Sequence, residues 1–185
     1  MEIKISQTPL KDVLIVDIDY FQDERGFLIE PWHKKHFSEA GLDIDFVQEV
    51  HSKSMYKVIR GLHYQDMDAP VTKLIRCISG GVFFVTVDLR IKSNTFGKWF
   101  AITLTADNKR QLFVPVGFAV GFAVLSDTAE ILYKLTGYYT PKSEHVLLWN
   151  DKNINISWPY NNPQLSLRDK NGLSFARYKK QPSFI

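Results

Sequence analysis

The chain has 185 residues, 45% hydrophobic and 14% aromatic, enough for one sizeable core, and residues 1–185 read as one globular domain. A net charge of +3, with acids and bases interspersed, excludes the basic footprint of a nucleic-acid binder, and no apolar run is long enough to span a membrane. The lone Cys77 excludes an intrachain disulfide and a cysteine-based zinc site, and Met1 to Leu14 lacks the basic-then-apolar order of a signal peptide, so a cytoplasmic protein is expected.

Val13-Leu14-Ile15-Val16 reads as a strand, followed by the turn-prone Gln22-Asp23-Glu24-Arg25-Gly26, and Phe27-Leu28-Ile29-Glu30 as another short strand before Pro31. His36-Phe37-Ser38-Glu39-Ala40 suits a short helix stopped by Gly41, the one firm helix signal in the chain. From Phe46 onward, β-branched and aromatic runs recur between turn residues: Phe46 to Val50, Val58 to Gln65, Lys73 to Ile78, Val82 to Leu89, Trp99 to Leu104, Gln111 to Val114, Phe118 to Leu125 and Glu130 to Tyr139. Such spacing predicts an all-β sandwich or barrel. The tail from Asn150 to Ile185 reads as irregular, with Ser166-Leu167-Arg168-Asp169 open between a helix start and a loop.

Period-2 alternation sorts the faces. Thr86 and Asp88 fall on one side of their strand and Val85, Val87 and Leu89 on the other; Lys73 shares a face with Ile75 and Cys77, and Tyr133 with Ile131 and Leu135. Among side chains an unperturbed histidine alone exchanges a proton near neutral pH, so His63 is the first candidate for a general base. Arg60 lies an odd three residues earlier, which puts it on the opposite face of a flat strand unless Gly61 introduces a bulge. Taken singly, His63 suits a satisfied core histidine, Lys73 a snorkelling strand end and Tyr133 a core tyrosine with its hydroxyl at the rim.

Together these segments resemble the dTDP-4-dehydrorhamnose 3,5-epimerase family of nucleotide-4-keto-6-deoxyhexose epimerases. The resemblance runs through Asp23-Glu24-Arg25-Gly26-Phe27 with Glu30, Phe46-Val47-Gln48 with His51-Ser52, Arg60-Gly61-Leu62-His63-Tyr64-Gln65, Lys73-Leu74, Val87-Asp88-Leu89-Arg90 and Thr95-Phe96-Gly97. It continues through Pro115-Val116-Gly117-Phe118-Ala119, Tyr133-Lys134, Tyr138-Tyr139, Leu148-Trp149-Asn150-Asp151, Trp158-Pro159 and Leu165-Ser166 with Asp169. It implies a cupin-type jelly roll (a double-stranded β-helix) with short flanking helices, a homodimer made by exchanging N-terminal strands, and a role in deoxysugar biosynthesis for a surface polysaccharide or glycosylated product. It further implies His63 as base, oriented by Asp169, Tyr133 as acid on the opposite face, and Lys73 as partner of the C4 oxygen. Arg25, Glu30, Gln48, Arg60, Tyr139, Glu144 and Arg168 match positions that bind the nucleotide-diphosphate sugar, with Arg168 standing where the family often has Lys. The residue types suit the chemistry: a carboxylate-held histidine removes a proton beside a ketone, a buried cation stabilises the enolate, and a tyrosine returns a proton to the other face.

No cofactor or metal is expected. Metal-binding jelly rolls use a His-x-His pair and a later third His, but Gln65 takes the second position and Val120 follows Pro115-Val116-Gly117-Phe118-Ala119. Gln65 also argues against a 3,4-ketoisomerase. His33, His36, His51 and His145 read as surface or supporting residues, with His51 a possible pocket lining. Val50, Phe84 and Val120 are apolar where typical members carry Asn, Asp and His, which points to action at one carbon only, such as C5 of a 3-deoxy-4-keto sugar. The alternative is a non-catalytic jelly-roll protein that holds a nucleotide sugar.

Overall fold

A computed structural model describes residues 1–185. The strands are β1 (Ile3–Gln7), β2 (Leu14–Ile18), β3 (Phe21–Asp23), β4 (Gly26–Leu28), β5 (Gln48–Met55), β6 (Ile59–Gln65), β7 (Lys73–Ser79), β8 (Gly81–Asp88), β9 (Trp99–Thr105), β10 (Gln111–Val114), β11 (Phe118–Val124), β12 (Thr128–Leu135) and β13 (Glu144–Val146). Three short helices accompany them: α1 (Lys34–Glu39), α2 (Leu167–Lys170) and α3 (Phe175–Tyr178). A six-stranded sheet in the order β1-β2-β10-β7-β12-β5 faces a five-stranded sheet in the order β13-β6-β11-β8-β9, all pairs antiparallel, which is the expected jelly roll.

Each sheet alternates sides as the pattern requires, so apolar side chains are buried in three layers. Between the sheets lie Leu10, Val13, Ile75, Cys77, Phe84, Leu104, Leu112, Val120, Phe122 and Ile131. Val85, Val87 and Leu89 point the other way and pack beneath Phe175, Tyr178 and Phe184, so the C-terminal segment covers the outer face of the five-stranded sheet. Its irregularity is one of backbone only; Tyr178 is fully buried and donates its hydroxyl to the Leu89 carbonyl at 2.8 Å. On the outer face of the six-stranded sheet, Phe37 and Leu42 close over Val16, Ile18, Leu74 and Phe113.

Several expected bounds move. The turn expected at Gln22–Gly26 is a tight hairpin, β3 pairing with β4, and the strand expected to run to Glu30 ends at Leu28. The short helix expected between Lys34 and Gly41 forms there, starting at Lys34 under a His33 cap and ending before Gly41, which adopts the left-handed φ of +92°. The strand expected to reach Tyr139 ends at Leu135, and β5 continues to Met55 because its polar residues alternate with inward ones. Ser166 caps α2 by accepting from the Asp169 amide at 3.0 Å, which settles that segment as a helical turn. No helix is long and apolar enough to cross a membrane.

Candidate active site

A cavity of about 450 Å³ opens between the sheets. Strand register divides its walls into three levels. At the outer level Gln48, Leu135 and Lys73 lie side by side on β5, β12 and β7, opposite Glu144 and Gln65 on β13 and β6. At the middle level the row is Val50, Tyr133, Ile75 on one wall, and on the other sheet His63 pairs with Val120 in the lining of the same cavity. At the third level Ser52 pairs with Ile131 on one wall and Phe122 lies between Arg60 and Phe84 on the other.

Arg60 and His63 reach one cavity because β6 carries an extra residue. His63 pairs with Val120 and Arg60 with Phe122, so three steps on β6 match two on β11. Gly61 makes this possible: its φ is +121°, and a Cβ there would lie 2.6 Å from the Gly121 Cα and 2.7 Å from the Val120 carbonyl oxygen. Arg60 then donates from Nε to Ser54 Oγ at 2.8 Å and from Nη2 to the Lys53 carbonyl at 3.3 Å, which aims the guanidinium across the third level.

The α2 turn delivers Asp169 against His63 across 106 residues of sequence, with Nε2 to Oδ1 at 2.6 Å. Burial by itself raises the Asp169 carboxyl, but the hydrogen bond and charge of His63, the Ser166 hydroxyl and Arg168 together hold it below the ordinary carboxylate range. An ionised carboxylate only accepts, so Nε2 carries the hydrogen and Nδ1 is the basic nitrogen of the neutral ring.

Lys73 faces the cavity from β7, and burial pushes its amine down to about 8 despite the opposing charge of Glu144. Burial likewise raises the Tyr133 phenol, which keeps it protonated and able to donate. At the mouth, Tyr139 donates its hydroxyl to Glu144 Oε2 at 2.8 Å and its amide to Gln48 Oε1 at 2.8 Å. Arg168 donates to the same Glu144 oxygen; burial pushes the Glu144 carboxyl up, but these partners bring it below its usual value. The Gln65 amide is committed to backbone, donating to the Ala69 and Tyr138 carbonyls and accepting from the Thr140 amide at 2.8 Å.

Of the residues singled out from sequence, Gln48, Arg60, His63, Lys73, Tyr133, Tyr139, Glu144 and Arg168 line this cavity, with Asp169 directly behind His63. Arg25 and Glu30 do not. Arg25 sits at the tip of the β3–β4 hairpin with its side chain 85% exposed and paired to Asp23, and Glu30 contacts His36 Nδ1 at 3.1 Å. His51 is also outside: residues 48, 50 and 52 point inward, so 51 points outward, onto Glu130 at 2.9 Å. Sequence reasoning did not single out Ser52, whose buried hydroxyl has no partner, or Phe122, which stacks on Phe84. Period-2 alternation from Val50 and Val120, which the family resemblance had marked as pocket positions, would have placed both inward.

Base, cation and phenol around one hollow suit proton transfer beside a carbonyl. The family model described as dTDP-4-dehydrorhamnose 3,5-epimerase matches residues 7–177. A dTDP-4-dehydrorhamnose 3,5-epimerase of Shigella flexneri is 51% identical over 173 residues, 93% of this chain and 96% of its own. The crystal structure of the enzyme of that name from Elizabethkingia anophelis NUHP1 superposes with a TM-score of 0.90 at 42% identity, covering 98% of this chain and 100% of that one. A dTDP-6-deoxy-D-glucose-3,5-epimerase of Legionella pneumophila, solved in complex with dTDP-4-keto-L-rhamnose, gives a TM-score of 0.88 at 40% identity over 92% of each chain. With nearly the whole chain matched and the cavity built as described, the protein belongs to the dTDP-4-dehydrorhamnose 3,5-epimerase family and is a nucleotide-sugar epimerase.

Proposed function

We propose that this enzyme epimerises a dTDP-linked 4-keto-6-deoxyhexose, and that it inverts one of the two carbons flanking the ketone. The observation that carries the reading is that His63 and Tyr133 line one cavity from opposite sheets, with Lys73 in the row next to that of Tyr133. His63 removes the C–H proton, and the electron pair moves through the ring carbon to the C4 oxygen. The Lys73 ammonium stabilises the resulting enolate, a preorganised interaction worth roughly 3 kcal/mol or more. Tyr133 then donates its hydroxyl proton to the opposite face of the same carbon as the carbonyl re-forms, and solvent returns Tyr133 and His63 to their starting states. Asp169 acts through His63, fixing its tautomer and stabilising the imidazolium.

Arg60, at the end of the cavity away from Lys73 and so toward C1 of a ring whose C4 oxygen meets Lys73, suits a phosphate oxygen of the diphosphate, while Gln48, Tyr139, Glu144 and Arg168 line the other mouth. Arg25 and Glu30 complete the site from a second copy: the β3–β4 hairpin that carries Arg25 exposes Phe21, Phe27 and Leu28, an apolar surface suited to a homodimer partner. Hydrocarbon on both sides of Tyr133 supports inversion at a single carbon, since a double inversion would place the C3 hydroxyl against it in two configurations.

Turnover in deuterated water, read by mass spectrometry and NMR, tests this. One inverted carbon bearing one deuteron is expected, with no exchange in the His63→Ala variant. Two inverted carbons would remove the single-carbon element, and absence of exchange by the wild type would remove the epimerisation itself.

A further inference from the structure

The lining of the reacting level defines which sugar fits, on the reading of the site given above. A ring held between His63 and Tyr133, with its C4 oxygen toward Lys73, turns its C3 and C5 edges to the two sides of Tyr133. Those sides are Val50 on β5 and Ile75 on β7, and both are hydrocarbon. Val120, Phe84, Phe122 and Ile131 add further hydrocarbon to the lining. Apart from His63 and Tyr133 themselves, polar side chains of the lining such as Gln48, Lys73 and Ser52 stand one register step or more away from Val50 and Ile75 along the strands.

A 4-keto-6-deoxyhexose carries a methyl group on C5 and, ordinarily, a hydroxyl on C3. The methyl group matches hydrocarbon on either side. The hydroxyl does not, and turning the ring over only exchanges Val50 for Ile75 as its neighbour. A hydroxyl moved from water to such a wall loses its hydrogen bonds without replacement. We infer that the substrate carries hydrogen in place of the C3 hydroxyl, making it a nucleotide-linked 3,6-dideoxy-4-hexulose. C3 is then a methylene and no stereocentre, so C5 is the one carbon whose configuration can change.

The test is a matched pair of 4-keto sugars on one nucleotide, differing only in hydroxyl or hydrogen at C3. The expected result is a kcat/KM higher for the 3-deoxy sugar by about 5- to 150-fold, the range for one unpartnered buried hydroxyl. Val50→Thr, which keeps shape and adds a hydroxyl on one side of Tyr133, and Ile75→Thr, which adds one on the other, place a partner on each edge. At least one is expected to narrow the ratio by improving the 3-hydroxy sugar. Equal efficiency on the two sugars, preference for the 3-hydroxy sugar, or a ratio that neither variant moves would overturn the inference. If both sugars exchange solvent deuterium with equal efficiency, the epimerase reading stands and only the substrate assignment falls; if neither exchanges, both fall.

Discussion

His63 and Tyr133 line one cavity from opposite sheets, each beside a valine, Val120 for the histidine and Val50 for the tyrosine. A ring between them has one face toward each, which is the arrangement that inversion, as opposed to simple exchange, requires. Replacing His63 by Ala should lower turnover by about 10²- to 10⁴-fold, the usual worth of a positioned base. Asp169→Asn should also lower it, with a changed pH dependence of kcat/KM, because the amide no longer enforces the tautomer or stabilises the imidazolium. An Asp169→Asn variant with wild-type rate and pH profile would show that the 2.6 Å contact only anchors the C-terminal segment.

Tyr133→Phe separates two events that the wild type performs together. His63 can still remove a proton and return a solvent-exchanged one to the same face, so deuterium wash-in should persist while inversion falls, by roughly 10²-fold or more. NMR of the recovered sugar distinguishes label with retained configuration from label with inversion. Equal losses of both would assign the second proton to another donor.

Lys73 gives two pH effects of opposite sense. Stabilisation of the enolate needs the ammonium, so kcat/KM should decline as pH rises through about 8. Stability moves the other way: the folded amine sits below its unfolded value of 10.5, so below about pH 8 the full cost of burying the charge is present, and it is relieved as pH rises through the window between them. Lys73→Met should therefore be inactive yet more stable at pH 7, by about 1–3 kcal/mol, with the difference from wild type shrinking toward pH 10.5. Denaturant titrations at both pH values measure this.

If Arg25 of one copy serves the cavity of the other, two crippled chains should rescue each other. Arg25→Ala is expected to raise KM about tenfold or more, and His63→Ala to abolish turnover. In a mixed dimer one site receives an intact His63 from the first chain and an intact Arg25 from the second. Recovery of wild-type KM on mixing, in up to one site per dimer, is the expected result; additive inactivity would keep Arg25 out of the site.

Gly61→Ala should be strongly destabilising, by about 2–4 kcal/mol, since the new Cβ meets backbone, not a movable side chain, and the φ of +121° is hostile to it. Thermal or urea unfolding reads the loss directly.

Most strands of the two sheets were legible because they are β-branched or aromatic runs bounded by turn residues, and period two correctly separated Thr86 and Asp88 from Val85 and Val87. The elements missed are those whose stability is borrowed. Strand β1 forms against β2, β13 is three residues held by β6, and α3 is one turn pinned by the burial of Phe175 and Tyr178. No local pattern announces such pieces. Much of the site followed from residue types and family likeness, but the three-level arrangement needed the register between β5, β12 and β7, which is a property of paired strands and not of one.

The doubled step in β6 has a consequence for how this barrel can change. Because the strand shifts phase once, at a point where two glycine backbones come close, side chains an odd distance apart line the same cavity. His63 and Arg60 are thus geared together: losing or moving that one irregularity would turn one of them out of the hollow while leaving every residue of the motif in place.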